Sequence, residues 1–316
     1  MSTSLTDRLM DRIGTLPGSR FVNRRRLKRY KSDVIGIKNI VLSDWLARFG
    51  IVVLLVFTFM ALFGPYITPY EPDAVHREDG EVLRSASPAE AEGHLLGTTN
   101  YGGDVLSQLI VSARVSVGVG LFAALIAVFI GTNAALISGY YGGWADDILM
   151  RVVDIAYGLP FLPFVIVLVF IFGTSIQNII LVIGLILWRD SARVIRSEVL
   201  TQKQRPYVES AKAVGASDLR ILYKHIFPNV LPLAGLYMAF AVAYAVIYEA
   251  SLAFLGYGDP EVYSWGQMLF QAYNSGAIRY AWWWVFPAGI CIMLLVSSVF
   301  FVGRSLEEIT NRELRH

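Results

Sequence analysis

Few residues in this chain have the type and spacing to do chemistry. The most suggestive stretch is 206–228, PYVESAKAVGASDLRILYKHIFP, a polar segment between two long apolar runs. Pro206 suits the first turn of a helix, where its missing N–H is not needed. The helix expected through Tyr207, Ala211 and Val214 stops at Gly215, a residue that takes the left-handed C′ conformation without Cβ strain. Ser217 is placed to cap a second short helix, with Asp218 in its electropositive first turn. Leu219, Leu222, Tyr223 and Ile226 recur there at helical spacing, and Pro228 discourages continuation of the turn. Spacing alone leaves two readings: an amphipathic helix pair lying in a membrane interface, or a surface shaped for a partner.

The second candidate is Glu249, an acid in an otherwise apolar helix and so a functional candidate by default. It falls near the outer end of its span, so a water-exposed or hydrogen-bonded gate role stands beside a direct substrate contact. Arg151 and Asp154, three apart, can pair on one helix face and read as structural. There is no GxxxxGK[ST], HExxH or GxSxG, and His76, His94, His225 and His316 fall in different segments. A single cysteine, Cys291, excludes an internal disulfide framework. The chain therefore reads as a conduit or coupling element that is not an enzyme and holds no cofactor or metal.

The elements that must position these residues are membrane spans. The chain is 55% hydrophobic and only 16% charged, whereas soluble domains run near a quarter charged. Its apolar runs predict an all-α polytopic membrane protein with six transmembrane helices, at about 49–67, 111–137, 148–172, 179–188, 230–255 and 283–302. In the second, Ser112, Ser116, Gly120 and Ala124 form a small-residue stripe that lets another helix approach closely. Pro160 and Pro163 should kink or unwind the third. The fourth should continue as a helix through Arg189, Arg193 and Arg196. Gly235, Ala239 and Ala243, with Ala241, Ala245 and Ala253, place the fifth inside a bundle. Tyr257, Tyr263, Trp265 and Tyr273, with Trp282, Trp283 and Trp284, read as an interfacial aromatic belt.

Charge orients the spans. Residues 1–48 hold eleven Lys/Arg, and no apolar core of a cleavable signal precedes Asp44. Ahead of a span such an arm is a topology determinant, so no nucleic-acid partner is assigned. The three outer loops carry only Arg77, Arg84 and Arg279, while eight basic residues fall between Arg189 and Lys224. Both termini are expected in the cytoplasm of a multi-pass cell-membrane protein. Residues 68–104 contain eight acids and read as a solvated acidic loop, its prolines opposing a long helix. The expected divisions are a basic arm (1–48), a first helix with the acidic loop (49–110), a five-helix unit (111–303) containing the loop 201–228, and a tail (304–316).

Several motifs carry a resemblance. Glu209-Ser210-Ala211, then Gly215, then His225-Ile226-Phe227-Pro228 resembles the EAA–Gly loop shared by permease subunits of ABC importers, with Ser210 in place of Ala and Phe227 in place of Leu. His94-Leu95-Leu96-Gly97-Thr98 with Gly102-Gly103-Asp104-Val105-Leu106-Ser107 is similar to HxLGTDxxGRDVLSR, with Asn100 and Gly103 as departures. Glu249 to Gly256 resembles EASLSFLG, and Ser264 to Leu269 with Trp282, Trp283, Phe286 and Pro287 resembles SWGxML and WWxxFP. Together these cover residues 46–303 in order and look like the dipeptide/oligopeptide/nickel branch.

The resemblance implies a C-type permease of MetI-like fold. It also implies a homologous B-type permease, two ATP-binding subunits carrying ATP and Mg, an extracytoplasmic substrate-binding protein, and the lipid bilayer as partners. It assigns ATPase coupling to Tyr207, Glu209, Ser210, Ala211, Ala213, Val214, Gly215 and Asp218, with the Tyr207–Val214 helix in a cleft of one ATPase. Glu209 would cap backbone N–H groups or meet a basic residue of that partner. Glu249, Ser251 and Phe254 are the expected pathway or gate residues.

Overall fold

The computed structural model describes residues 44–313. The basic arm expected over 1–48 lies outside the described residues as far as residue 43, and its last residues enter the first helix. Nine helices carry the described fold: α1 (Trp45–Ile67), α2 (Val105–Tyr141), α3 (Gly143–Gly158), α4 (Phe161–Phe172), α5 (Ile176–Lys203), α6 (Pro206–Ala213), α7 (Asp218–Tyr257), α8 (Trp265–Asn274) and α9 (Trp282–Glu313). A two-residue hairpin, β1 (Arg77–Glu78) with β2 (Glu81–Val82), lies in the segment between α1 and α2. Asp79 and Gly80 turn it with positive φ of 50° and 87°, the backbone that a tight hairpin requires.

Helices α1, α2, α7 and α9 are each long and apolar enough to cross a membrane. The expected third span is instead two helices, α3 and α4, bent by 98° at Leu159–Pro160. Pro160 is the N-cap of α4, so the expected kink or unwinding is a full break with a new helix beginning at the proline. The expected fourth span is the first half of α5, which does run on through Arg189, Arg193 and Arg196. The tail beyond 303 is likewise a continuation of α9, to Glu313.

α2 is the central post, and it runs parallel to α5. Close approach is set by glycines: a Cβ on Gly184 of α5 would lie 2.8 Å from Ile126, and one on Gly131 of α2 would lie 2.6 Å from the Trp188 carbonyl. The small-residue stripe expected on α2 is filled from two sides. Val242 and Val246 of α7 cover Gly120, while Trp265 and Met268 of α8 meet Ser116 and Ser112 at 3.3 and 3.4 Å. Because the stripe admits backbones this closely, dispersion contacts replace the hydrophobic drive that lipid does not supply.

Residues 68–104 fold into a compact knot at the head of α2, which is more order than a solvated acidic loop implies. Most of its acids are exposed, but Asp104 is buried. Asp104 Oδ2 accepts from the Ser107 N–H at 2.7 Å as the α2 N-cap, and Oδ1 lies 2.9 Å from His94 Nδ1. The Trp283 indole N–H donates to the Thr98 carbonyl, and Tyr263 donates to Asp73. Gly103, where the motif has arginine, leaves its space to the Gln108 side chain, which reaches the Pro72 carbonyl at 3.1 Å.

Candidate functional site

The site lies at the end of the molecule opposite the knot, where α6 crosses beneath α2, α5 and α7. Pro206 opens α6, and its end is a full Schellman turn. The Ala216 N–H donates to the Ala211 carbonyl at 3.0 Å, the Gly215 N–H donates to Lys212 at 2.9 Å, and Gly215 has φ +78°. Nothing lies within 4 Å of a Cβ on Gly215, so the glycine is required by backbone conformation and not by crowding.

Burial divides the expected coupling residues into two sets. Val208 and Ala211 are buried against Leu136, Ile195, Val199, Ile221 and Ile226, and Tyr207 packs at the edge of that cluster. The Tyr207 hydroxyl donates to Gln202 Oε1 at 2.7 Å and accepts from the Asn229 amide at 3.4 Å; burial raises its pKa. Tyr207 and Ala211 thus anchor α6 to the bundle. The outward set is Glu209, Ser210, Ala213, Val214, Gly215 and Asp218. Val214 is 83% exposed and Leu219 65%, an apolar cap on a polar rim. The Ser210 hydroxyl donates back to the Pro206 carbonyl. Glu209 lies exposed in the first turn and caps no backbone N–H among the described residues, the first of its two expected roles.

The second short helix expected after Gly215 does not stand apart. Ser217 takes the N-cap position without a side-chain hydrogen bond, and the helix runs unbroken from Asp218 into α7. Pro228 does not stop it, because residues 221–226 adopt a π-helical turn and Pro228 falls in the first turn of the α-helix that follows. The widened turn re-registers the carbonyls that the proline would otherwise leave unmatched. α6 is therefore joined to a 40-residue rod through a single glycine turn.

Sequence reasoning missed Tyr140, the last buried residue of α2. Its hydroxyl donates to Asp218 at 2.6 Å, and the ammonium groups of Lys212 and Lys203 lie 5.5 and 5.8 Å from its ring. It therefore joins α2, α5, α6 and α7. A tyrosine at a span end reads as interface belt, so nothing local marks this role. Asp154 pairs with Arg193 of α5 instead of the expected Arg151, and Asp146 pairs with Arg196, strapping α3 to α5.

The expected pathway residues do not converge. At roughly 100° per residue, Glu249 and Ser251 point to opposite sides of α7. Glu249 is only 3% exposed, so the water-exposed alternative fails. It lies against Ser264, the N-cap of α8, with Oε2 buried and unpartnered, and the N-terminal dipole of α8 favours a negative group there. Ser251 donates to its own helix at Ile247. Phe254 is part-exposed against Tyr273.

The chain belongs to the family of binding-protein-dependent transport system inner membrane components, whose profile matches residues 127–310. The N-terminal membrane domain of oligopeptide transport permease C matches residues 41–88. Among similar proteins, the oligopeptide permease OppC of Bacillus subtilis is 31% identical over 93% of this chain and 93% of its own length. The glutathione permease GsiD of Pectobacterium atrosepticum is 33% identical over 84% and 86%, and the dipeptide permease DppC of Haemophilus influenzae is 34% identical over 85% and 91%. A chain of the MetNI methionine ABC transporter, solved in inward-facing conformations, superposes with a TM-score of 0.51 at 20% identity, covering 64% of this chain and 96% of that one. That likeness shows the fold, which is MetI-like. The protein is a multi-pass permease subunit of an inner-membrane ABC importer and is not an enzyme; ATP hydrolysis belongs to separate subunits.

Proposed function

We propose that this chain is the C-type permease of a peptide importer and forms half of its translocation pathway. It works beside a homologous B-type permease, two ATP-binding subunits that carry ATP and Mg, and an extracytoplasmic substrate-binding protein. The observation that carries the coupling role is the apolar cap of Val214 and Leu219, held outward by the Gly215 turn. Exposed apolar surface rimmed by polar residues marks an interaction site. In this reading Glu209 to Gly215 and Asp218 meet one ATPase, and closure of the ATPase pair rocks α5 and α7 as rigid bodies. Residues 111–303 form the translocation unit, and both termini are cytoplasmic, as the basic-residue distribution favours. Peptide is the preferred solute because the relatives named above carry dipeptides, oligopeptides and glutathione. The test is ATP-driven uptake by the assembled importer in proteoliposomes with its cognate binding protein. Labelled di- or tripeptide should accumulate; accumulation of a nickel complex or an oligosaccharide with none of peptide would replace the solute class.

A further inference from the structure

A cavity of about 260 Å³ opens between α5 and α7, away from the coupling surface and from Glu249. Its α5 wall is Leu187, Asp190, Ser191 and Val194, and its α7 wall is Tyr237, Phe240, Ala241 and Tyr244. Both sets repeat as i, i+3, i+4, i+7, so each is one face of its helix. Tyr157, at the end of α3, closes the third side. Asp190 lies fourteen residues into α5, roughly 21 Å from the helix start at 1.5 Å per residue, two residues beyond the expected end of the fourth span at 188.

Among the described residues, Asp190 is the only carboxylate lining this cavity. Its neighbouring cations have other partners: Arg189 donates to the Ala156 carbonyl at the broken end of α3, Arg193 pairs with Asp154, and both guanidinium groups lie over the Tyr157 ring, at 4.7 and 4.3 Å. Among the described residues, Asp190 forms no ion pair; Oδ1 accepts from the Tyr157 hydroxyl, and Oδ2 accepts no hydrogen bond. An acid that forms no ion pair, at the mouth of a cavity walled by aromatic rings, is suited to receive a cation. The aromatic surface continues beyond the cavity, since Tyr244 stacks on Tyr248 at 6.1 Å and Tyr248 on Phe161 of α4 at 3.6 Å.

We propose that this cavity is a solute station that takes the protonated amine of a transported peptide, with Asp190, held by the Tyr157 hydroxyl, as counter-ion and Tyr237 and Tyr244 as cation–π walls. The identity of the solute rests on the peptide reading above; the recognition of an ammonium group does not. A cavity of this volume holds one end of a short peptide, because whole small-molecule sites run upward from about 300 Å³. The carboxylate supplies charge and hydrogen-bond acceptance, while the rings supply a sequence-tolerant wall, as a carrier of many peptides requires.

The test uses the assembled importer with Val194→Cys as a reporter on the cavity wall and Cys291→Ala to remove the native thiol. Maleimide labelling of position 194 is followed with trialanine, N-acetyl-trialanine or ethylammonium present, with Asp190 intact or as Asp190→Asn. Uptake of labelled trialanine is measured on the same preparation without the reporter. Trialanine and ethylammonium should each slow labelling severalfold, the acetylated peptide should not, and Asp190→Asn should abolish the protection while Asp190→Glu restores it. Equal protection by the acetylated peptide overturns amine recognition. Absence of protection by either amine overturns the station, whether or not peptide uptake is seen. Protection by ethylammonium in an importer that takes up no peptide keeps the cation site and removes the peptide reading.

Discussion

The two ends of this molecule are finished in opposite ways. At the loop end, polar groups are buried and paired within the chain: Asp104 with His94 and the α2 N-terminus, the Trp265 indole with the Leu109 carbonyl, and the Trp283 indole with the Thr98 carbonyl. At the α6 end, apolar groups are left in the open, with Val214 and Leu219 standing out from a turn that buries only Val208 and Ala211. The loop end turns these polar groups on itself, whereas the α6 end leaves its apolar groups uncovered. Buried polar pairs are costly to break from one side, whereas exposed apolar caps cost nothing to remove until a partner arrives. Substitutions at one end should therefore register as stability, and at the other as coupling.

The largest expected effect sharpens that division. Gly215→Asp introduces a Cβ at φ +78° and a charge into the apolar cap. The backbone strain is about 1–2 kcal/mol, too little to unfold a bundle held by α2, α5 and α7. ATP-driven uptake should be abolished while the subunit remains folded in the membrane, with its melting temperature only slightly lowered. Normal uptake by this variant would remove the coupling role of the turn. Next comes Asp104→Ala at the other end, which strips the α2 N-cap and leaves His94 without its partner. Its expected cost is about 1–3 kcal/mol, read as a lower melting temperature of the purified subunit, with the ratio of uptake to ATP hydrolysis in the surviving complex unchanged. A changed ratio at wild-type stability would show that the two ends are not separable in this way.

Glu249→Gln lies between these cases, since Glu249 sits in the outer half of α7 and on the N-cap of α8. The amide keeps the shape and removes the charge that the α8 N-terminus favours. Assembly should persist while uptake falls or ATP hydrolysis without substrate rises. If both rates match the unsubstituted protein, Glu249 is purely structural.

What could be read from the sequence follows the range of the forces involved. The first, second, fifth and sixth spans, the α6 helix with its Pro206 start and Gly215 stop, and the small-residue stripe on α2 all depend on local spacing, and all stand in the structure. The break between α3 and α4 is marked by Pro160, but neither its 98° angle nor the pairing of α3 with Arg193 and Arg196 of another helix can be read from local spacing. Continuity through Pro228 was hidden because a π turn restores what a proline removes. Tyr140 and Asp190 gave no local signal, because each takes its role from residues far away in the chain. Glu249, Ser251 and Phe254 were adjacent in a motif, yet helical periodicity separates them onto different faces.

The smallest expected effect concerns pH and again sets the two ends against each other. His76 sits 4.4 Å from the His94 ring and 4.7 Å from Tyr70. Its pKa is lowered from 6.5, chiefly because burial disfavours the imidazolium, then because of His94, with Asp104 opposing the shift. The unfolded loop therefore holds the proton more tightly than the folded knot does. The contribution to stability is fully present above about pH 6.5 and is lost as pH falls from there through the lower folded value. Hydrogen exchange in residues 68–104 should accelerate on acidification across that window, with residues 206–217 of the same sample as the reference that does not share this titration. His76→Phe keeps an aromatic ring in the stack but cannot titrate, so it should flatten the response. An undiminished acid response in His76→Phe would move its origin to the other groups of the knot, and would leave the loop end without the histidine control assigned to it here.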